Sequence, residues 1–201
     1  EERCFSPGGD YFVDTYSTPC DPPVCALRTS EGRIVRRLEA ADISSLCEGG
    51  YTPIEPFEAL AADGRTKLYG NLFRPSAFDP SRKYPIIDSM YPGPQAIRSR
   101  KTFLGALFDD FEAQSLAEHG CMVVTIDGRG TPHRSKQFQD HCYGRLDKAS
   151  DLEDHIEVIR QLAERYPCID LHRVGADGVS GGGYAAARAM LAFPEFYKVA
   201  V

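Results

Sequence analysis

The chain has 201 residues and a formal net charge of −6 at pH 7. This acidic balance, with no run of lysine or arginine, argues against nucleic acid or an anionic membrane surface as a partner. No apolar stretch approaches the roughly 20 residues of a membrane-spanning helix. With 42% hydrophobic and 26% charged residues, the composition is that of a globular protein with an ordinary core.

Residues 1–45 are predicted to form short β-strands separated by turns. A turn and strand over Phe5–Val13 precede a hairpin whose strands are Val24–Arg28 and Arg33–Leu38. Evenly spaced short strands are typical of a β-propeller blade or a β-sandwich, and these strands are too few to close a sheet alone. A short helix is expected over Ala40–Cys47.

Residues 46–201 have a different organisation and are predicted to form a second domain. A hairpin of Glu55–Ala61 and Lys67–Phe73 comes first, and strands then alternate with helices. Such alternation indicates parallel βαβ units, so the predicted fold class is α/β with a doubly wound sheet. The later predicted elements are strand Tyr84–Met90, helix Phe111–Glu118, strand Cys121–Ile126, helix Asp151–Arg165, strand Arg173–Asp177, helix Tyr184–Leu191 and a strand beginning at Lys198.

The helix over Asp151–Arg165 is supported by an apolar stripe of Leu152, Ile156, Ile159 and Ala163. Its charged residues are expected to form a solvated face rather than a carboxylate site. They are Asp151, Glu153, Asp154, Glu157, Arg160, Glu164 and Arg165.

The seven cysteines contain no C-x-x-C pair and no Cys/His cluster of zinc type, so no metal or other cofactor is expected. Cys20 and Cys25 flank a proline-rich turn and could form a disulfide in an oxidising compartment. The sequence leaves the compartment open.

The run Gly178–Tyr184 (GVSGGGY) places Ser180 between a predicted strand and a strongly helix-forming segment. A serine at such a junction, with glycine two residues before and two after, fits the nucleophile elbow of an α/β-hydrolase. The helix N-terminus would direct the Gly181 backbone N–H and a positive dipole end toward an oxyanion. The alternative is a glycine-rich turn that packs closely or binds a phosphate.

Two loops follow the predicted strands that precede the elbow. Tyr91 begins a loop held by two prolines and a glycine, and its phenol O–H could donate to the developing oxyanion alongside the Gly181 N–H. The alternative is a turn whose tyrosine only packs. In the second loop, Arg129 is expected to be a structural ion-pair partner rather than a catalytic group.

Three motifs together resemble the prolyl oligopeptidase family, most closely its dipeptidyl peptidase IV branch: Tyr91–Pro94 (YPGP), Asp127–Thr131 (DGRGT) and Gly178–Tyr184. The resemblance covers roughly residues 55–201, and Phe5–Tyr11 resembles the blade repeat of that family's propeller. It implies an α/β-hydrolase sheet, incomplete at its C-terminus, preceded by part of a propeller blade. One departure is Gly181, where dipeptidyl peptidase IV carries tyrosine.

A serine nucleophile needs a general base, and on this fold the acid and the histidine follow the serine in the chain. All five histidines precede Ser180 and are expected to be surface or loop residues: His119, His133, His141, His155 and His172. The sequence is therefore expected to be a fragment that begins in a final propeller blade, ends before the triad is complete, and is inactive alone.

The resemblance implies a serine peptidase that releases N-terminal dipeptides through an acyl-enzyme, with Ser180 as nucleophile and Tyr91 and Gly181 as oxyanion donors. A peptide is then the expected substrate, and the intact protein could be a homodimer. An acylaminoacyl peptidase or esterase of the same fold stays open, since the elbow does not encode the leaving group. A catalytically silent binding protein is the third reading, should the downstream acid and histidine be absent.

Overall fold

The computed structural model describes residues 2–103, 109–145 and 151–201. It begins with a four-stranded antiparallel sheet in the order β1-β2-β3-β4. The strands are β1 (Glu2–Phe5), β2 (Tyr11–Tyr16), β3 (Val24–Thr29) and β4 (Ile34–Ala40). The predicted hairpin is confirmed as β3 and β4. Helix α1 (Ser44–Glu48) is shorter than predicted because β4 continues to Ala40.

A six-stranded mixed sheet follows, in the order β10-β9-β7-β8-β6-β5. Its strands are β5 (Glu55–Leu60), β6 (Lys67–Phe73), β7 (Tyr84–Ser89), β8 (Met122–Asp127), β9 (Ile169–Asp177) and β10 (Tyr197–Ala200). The helices are α2 (Asp109–Glu118), α3 (Lys136–Gln139) with a 3₁₀ turn over Asp140–Cys142, α4 (Leu152–Arg165) and α5 (Gly181–Ala192). Strands β7 to β10 pair in parallel, and β6 joins β8 antiparallel. The α/β class is therefore confirmed, and the strand order is consistent with an α/β-hydrolase.

The core lies on both faces of this second sheet. Strand β8 is buried along its whole length, as expected for a strand between β7 and β6 with helices on both sides. On one face α4 and α5 contribute Leu152, Ile159 and Ala186, while α2 packs Ala113 on the other face. Each large apolar side chain buried this way contributes at most about 1.5–3 kcal/mol relative to exposure.

The prediction of a fully solvated charged face on α4 is wrong for its first turn. Asp151 and Asp154 are buried because Arg129, from the loop after β8, reaches both carboxylates. The Arg129 Nε lies 2.7 Å from Asp154 Oδ2 and its Nη2 lies 2.8 Å from Oδ1. Buried charges persist where they are paired and hydrogen-bonded. The structural ion-pair role predicted for Arg129 is confirmed.

His155 is the second correction, since it lies in α4 with 2% of its surface exposed rather than in a loop or on the surface. Its Nδ1 lies 2.9 Å from Asp88 Oδ2, and the Tyr197 hydroxyl donates to the same oxygen at 3.0 Å. Burial opposes protonation of His155, yet the Asp88 charge and hydrogen bond outweigh it and raise the histidine pKa. A buried Asp near the carboxyl end of β7 requires such partners.

The remaining histidines agree with the expectation of surface or loop positions. His119, His133 and His172 are exposed. His141 is partly exposed in the 3₁₀ turn after α3, and its Nε2 lies 2.6 Å from Asp151 Oδ2.

Candidate active site

Ser180 occupies a strained turn between the carboxyl end of β9 and the first residue of α5. Its backbone has φ 57° and ψ −114°, a conformation that residues other than glycine rarely adopt. Such strain persists only where the surroundings impose it, and it is concentrated at functional sites. The side chain is exposed, so its hydroxyl is accessible to a substrate.

The glycines two residues before and two residues after Ser180 are required because a side chain at either position would clash with its neighbours. A Cβ on Gly178 would lie 2.4 Å from the carbonyl carbon of Gly182, and a Cβ on Gly182 would lie 2.1 Å from the Met90 carbonyl oxygen. By contrast, no atom lies within 4 Å of a Cβ on Gly181. The glycines of the G-x-S-x-G pattern are thus required by packing, and the residue after the serine is not.

The same contact brings Tyr91 to the elbow. Gly182 packs on the end of β7, where the Tyr91 Cα lies 3.7 Å from the Cβ position of Gly182. The Met90 N–H donates to the Asp177 carbonyl at 2.7 Å and fixes this strand end against β9. The fold therefore brings Ser180, Tyr91 and Gly181 to one edge of the sheet.

Beyond Tyr91, the segment 91–101 is anchored over the carboxyl end of β8. The Arg98 N–H donates to Asp127 Oδ1 at 2.6 Å, and the Ser99 N–H and hydroxyl also donate to the Asp127 carboxylate. The Asn71 side chain on β6 donates to the Arg100 carbonyl at 3.1 Å. The loop that begins with Tyr91 is therefore fixed at both ends, which limits the reorganisation that a tyrosine donor would need.

The α5 N-terminus supplies backbone donors beside the serine. The Tyr184 N–H donates to the Ser180 carbonyl at 3.0 Å and begins the helical bonding pattern. The first N–H groups of a helix have no partner within the helix, and they carry the positive end of its dipole. The Gly181 N–H is one of these groups, at a position suited to an anion.

Neither His–Asp pair among the described residues is suited to serve Ser180. His155 is enclosed in the core with Asp88, whereas Ser180 is exposed. His141 and Asp151 lie beside the loop after β8. Strand β7 lies between β8 and β9 in the sheet, and Ser180 follows β9. On this fold the base is expected to follow the serine in the chain.

We predict that Gly182→Ala destabilises the intact protein by about 3 kcal/mol, because its methyl group would overlap the Met90 carbonyl. Gly181→Ala is the matched control: its methyl group enters open space, and we expect a change within about 0.5 kcal/mol. The denaturation midpoints of the two variants provide the test. Equal midpoints would contradict the close packing of the elbow on β7.

Comparison with known proteins places this geometry in a family. Residues 107–201 match the prolyl oligopeptidase family. The chain is 32% identical over 205 residues to dipeptidyl peptidase 8 of Mus musculus, which covers 98% of this chain and 22% of that protein. It is 33% identical over 193 residues to venom dipeptidyl peptidase 4 of Apis mellifera, covering 91% of this chain and 23% of that protein.

A solved structure extends the comparison to the fold. A crystal structure of a candidate dipeptidyl aminopeptidase IV from Bacteroides ovatus superposes with a TM-score of 0.84 at 30% identity, covering 99% of this chain and 28% of that one. The chain thus spans between a fifth and a third of the relatives that it matches. In the ranges 2–103, 109–145 and 151–201, no helix is both long and apolar enough to cross a membrane. Taken with the elbow and the Tyr91 loop, the matches show that the chain is similar to the prolyl oligopeptidase family, whose model matches residues 107–201.

Proposed function

We propose that the intact protein is a serine peptidase that releases dipeptides from the N-termini of peptides. The observation that carries this proposal is the strained Ser180 at the N-terminus of α5, enclosed by glycines that packing requires. The names of the relatives support the substrate class, since both are dipeptidyl peptidases.

Each residue at the site is proposed to have one role. The Ser180 Oγ attacks the scissile carbonyl carbon, and the carbonyl oxygen becomes an oxyanion held by the Tyr91 O–H and the Gly181 N–H. The C–N bond then breaks, and the leaving amine takes the proton that a general base removed from the serine. A water molecule later hydrolyses the acyl-enzyme. The base is proposed to follow Ser180 in the chain, as the order of this fold requires.

We further propose the domain assignment on which this function rests. Residues 1–45 would be the end of a β-propeller, and residues 46–201 would be part of the catalytic α/β-hydrolase domain. The four-stranded antiparallel sheet β1 to β4 supports the first assignment, since propeller blades have this form. Every side chain of β4 is exposed, as expected of a sheet that packs against neighbouring blades.

The test compares three substrates of the intact protein: an Ala-Pro anilide with a free N-terminus, the acetylated anilide N-acetylalanine anilide, and a simple acyl ester. We expect the free-amine anilide to be cleaved with the highest kcat/KM. Faster cleavage of the acetylated anilide would favour an acylaminoacyl peptidase, and faster cleavage of the ester alone an esterase. Failure to turn over any of the three would point to a binding protein.

A further inference from the structure

A second feature lies on the same edge of the sheet as Ser180. It is a cleft of about 970 Å³ formed by the β5–β6 hairpin, the segment 97–101, and the loop and helix α3 that follow β8. We call it the β8 cleft. Ser180, Tyr91 and Gly181 do not line it, so the proposed chemistry does not account for its presence.

The β8 cleft is continuous with the proposed oxyanion loop. Ile97, Ser99 and Lys101 line one wall, and they belong to the segment that begins at Tyr91. On the opposite side, the Gln139 side chain donates to the Pro94 carbonyl at 3.4 Å. The segment that begins at Tyr91 therefore connects the proposed oxyanion site to the wall of the β8 cleft.

Four cationic side chains line the cleft, together with two aspartates that already have hydrogen-bond partners. Asp127 accepts hydrogen bonds from segment 97–101, as described above. Asp63 accepts from the Thr66 hydroxyl at 2.6 Å, and this bond is the main reason that its pKa is held well below the usual range. Arg129 pairs with Asp63 at 3.4 Å and with the carboxylates of Asp151 and Asp154 behind it. Arg65 lies 3.7 Å from Asp63 and is largely exposed.

The other two cations, Lys101 and Arg134, have no carboxylate partner within the part of the chain that the structure describes. Arg134 is held in place by other means: its Nη1 donates to the Lys67 carbonyl at 2.7 Å, and its guanidinium lies 4.1 Å from the centre of the Phe138 ring. A guanidinium positioned in this way is well suited to bind a carboxylate. The β8 cleft thus offers positive charge to an incoming anion.

Backbone strain is concentrated around the same cleft. Among the residues that the structure describes, two non-glycine residues besides Ser180 have a positive φ: His133 at 62° and Asp151 at 38°. His133 lines the cleft, and Asp151 pairs with His141 and Arg129, which also line it. Strain of this kind persists at ligand sites because the surroundings over-determine it.

Distance decides which part of a substrate reaches the cleft. Ser180 follows β9, and the cleft lies over β8 and β6, two and three strands away. At about 4.8 Å per strand, the separation is about 10–14 Å. An acyl dipeptide spans at most about 7 Å, whereas the third and fourth residues of the leaving peptide lie about 10–14 Å from the cleaved bond.

We propose that the β8 cleft binds acidic side chains of the leaving peptide, at the third and fourth residues after the cleaved bond. This inference rests on the proposed dipeptide-releasing function. It assigns to Lys101 and Arg134 a role in substrate selection, with acidic peptides as the preferred class.

The experiment uses the intact protein and two heptapeptides that begin with Ala-Pro and differ at the third and fourth residues after the proline, which are either Glu-Glu or Gln-Gln. We expect kcat/KM to be about tenfold higher for the glutamate peptide at low ionic strength, and about twofold higher at roughly 0.5 M salt because exposed charges are screened. The ratio between the two peptides is taken within each variant, so differences in folding or active fraction cancel.

Lys101→Gln and Arg134→Gln are each expected to reduce this ratio about threefold. Arg134→Lys keeps the charge and should retain most of the preference. Lys136→Gln is the matched control, because Lys136 is an exposed cation of α3 that pairs with Asp140 and does not line the cleft. Its ratio should equal that of the wild type.

A ratio near one in the wild type, with the Ala-Pro anilide still cleaved, would overturn the cleft proposal and leave the proposed function intact. An equal loss of preference in Lys136→Gln and Lys101→Gln would also overturn it, since net charge rather than the cleft would then be responsible. If neither the anilide nor either peptide released a dipeptide, both proposals would fail.

Discussion

Replacing Ser180 by alanine should lower kcat for an Ala-Pro anilide by about 10⁵–10⁶-fold in the intact protein, the usual result of removing the nucleophile of a serine peptidase. The residual rate would come from the oxyanion donors and substrate binding alone. Substrate affinity should be retained, because the hydroxyl forms its covalent bond only during reaction. A loss of less than tenfold would contradict the assignment.

A companion substitution separates catalysis from backbone strain. Ser180→Gly also removes the hydroxyl, but glycine accepts φ 57° without the penalty that alanine has. We therefore expect Ser180→Gly to be about 1 kcal/mol more stable than Ser180→Ala, with both equally inactive. Thermal denaturation of the two variants measures the difference. Equal stability would show that the turn at Ser180 is not strained.

Tyr91→Phe is expected to lower kcat by about 10²–10³-fold with little change in KM, because one oxyanion donor is lost while the ring keeps its packing. The structural reason is the contact of Gly182 with the end of β7, which fixes the start of the Tyr91 loop beside the elbow. Steady-state kinetics on the anilide substrate provide the measurement.

Tyr143→Phe is the control for the loss of a phenol, since Tyr143 is 84% exposed and follows the 3₁₀ turn after α3. Its kinetics should match the wild type. If Tyr91→Phe instead raised KM and left kcat unchanged, Tyr91 would be a substrate-binding residue rather than an oxyanion donor.

Much of the fold could be predicted because its signals are local. The hairpin of β5 and β6 is marked by a short turn between two strand-like runs, and α4 by its apolar stripe. The elbow is also local: a strand, a serine between glycines and a helix follow one another within about 20 residues. Alternation of strands and helices then determines the parallel sheet.

The polar interactions of the core could not be assigned in the same way, since their partners are distant in sequence. His155 and Asp88 are 67 positions apart, and their contact exists only once α4 packs on β7. A signal was nevertheless present: His155 lies on the apolar stripe, one turn from Leu152 and Ile159, and Asp88 interrupts an apolar strand. Polar residues on buried faces require partners.

The β8 cleft could not be predicted from the sequence for a related reason. Its cations come from the β5–β6 hairpin, the loop after β7 and the segment after β8, which only the strand order brings together. Asp154 illustrates the same point. The helical pattern predicts that its carboxylate is solvated, but Arg129 from the loop after β8 buries it.

Covalent labelling tests the central claim most directly. The intact protein is treated with a fluorophosphonate, which reacts with activated serines, and the modified residue is located by peptide mass spectrometry. We expect one adduct, on Ser180, that is lost in Ser180→Ala and strongly slowed in Tyr91→Phe. An adduct on another serine, or labelling of the active protein that persists in Ser180→Ala, would contradict the account.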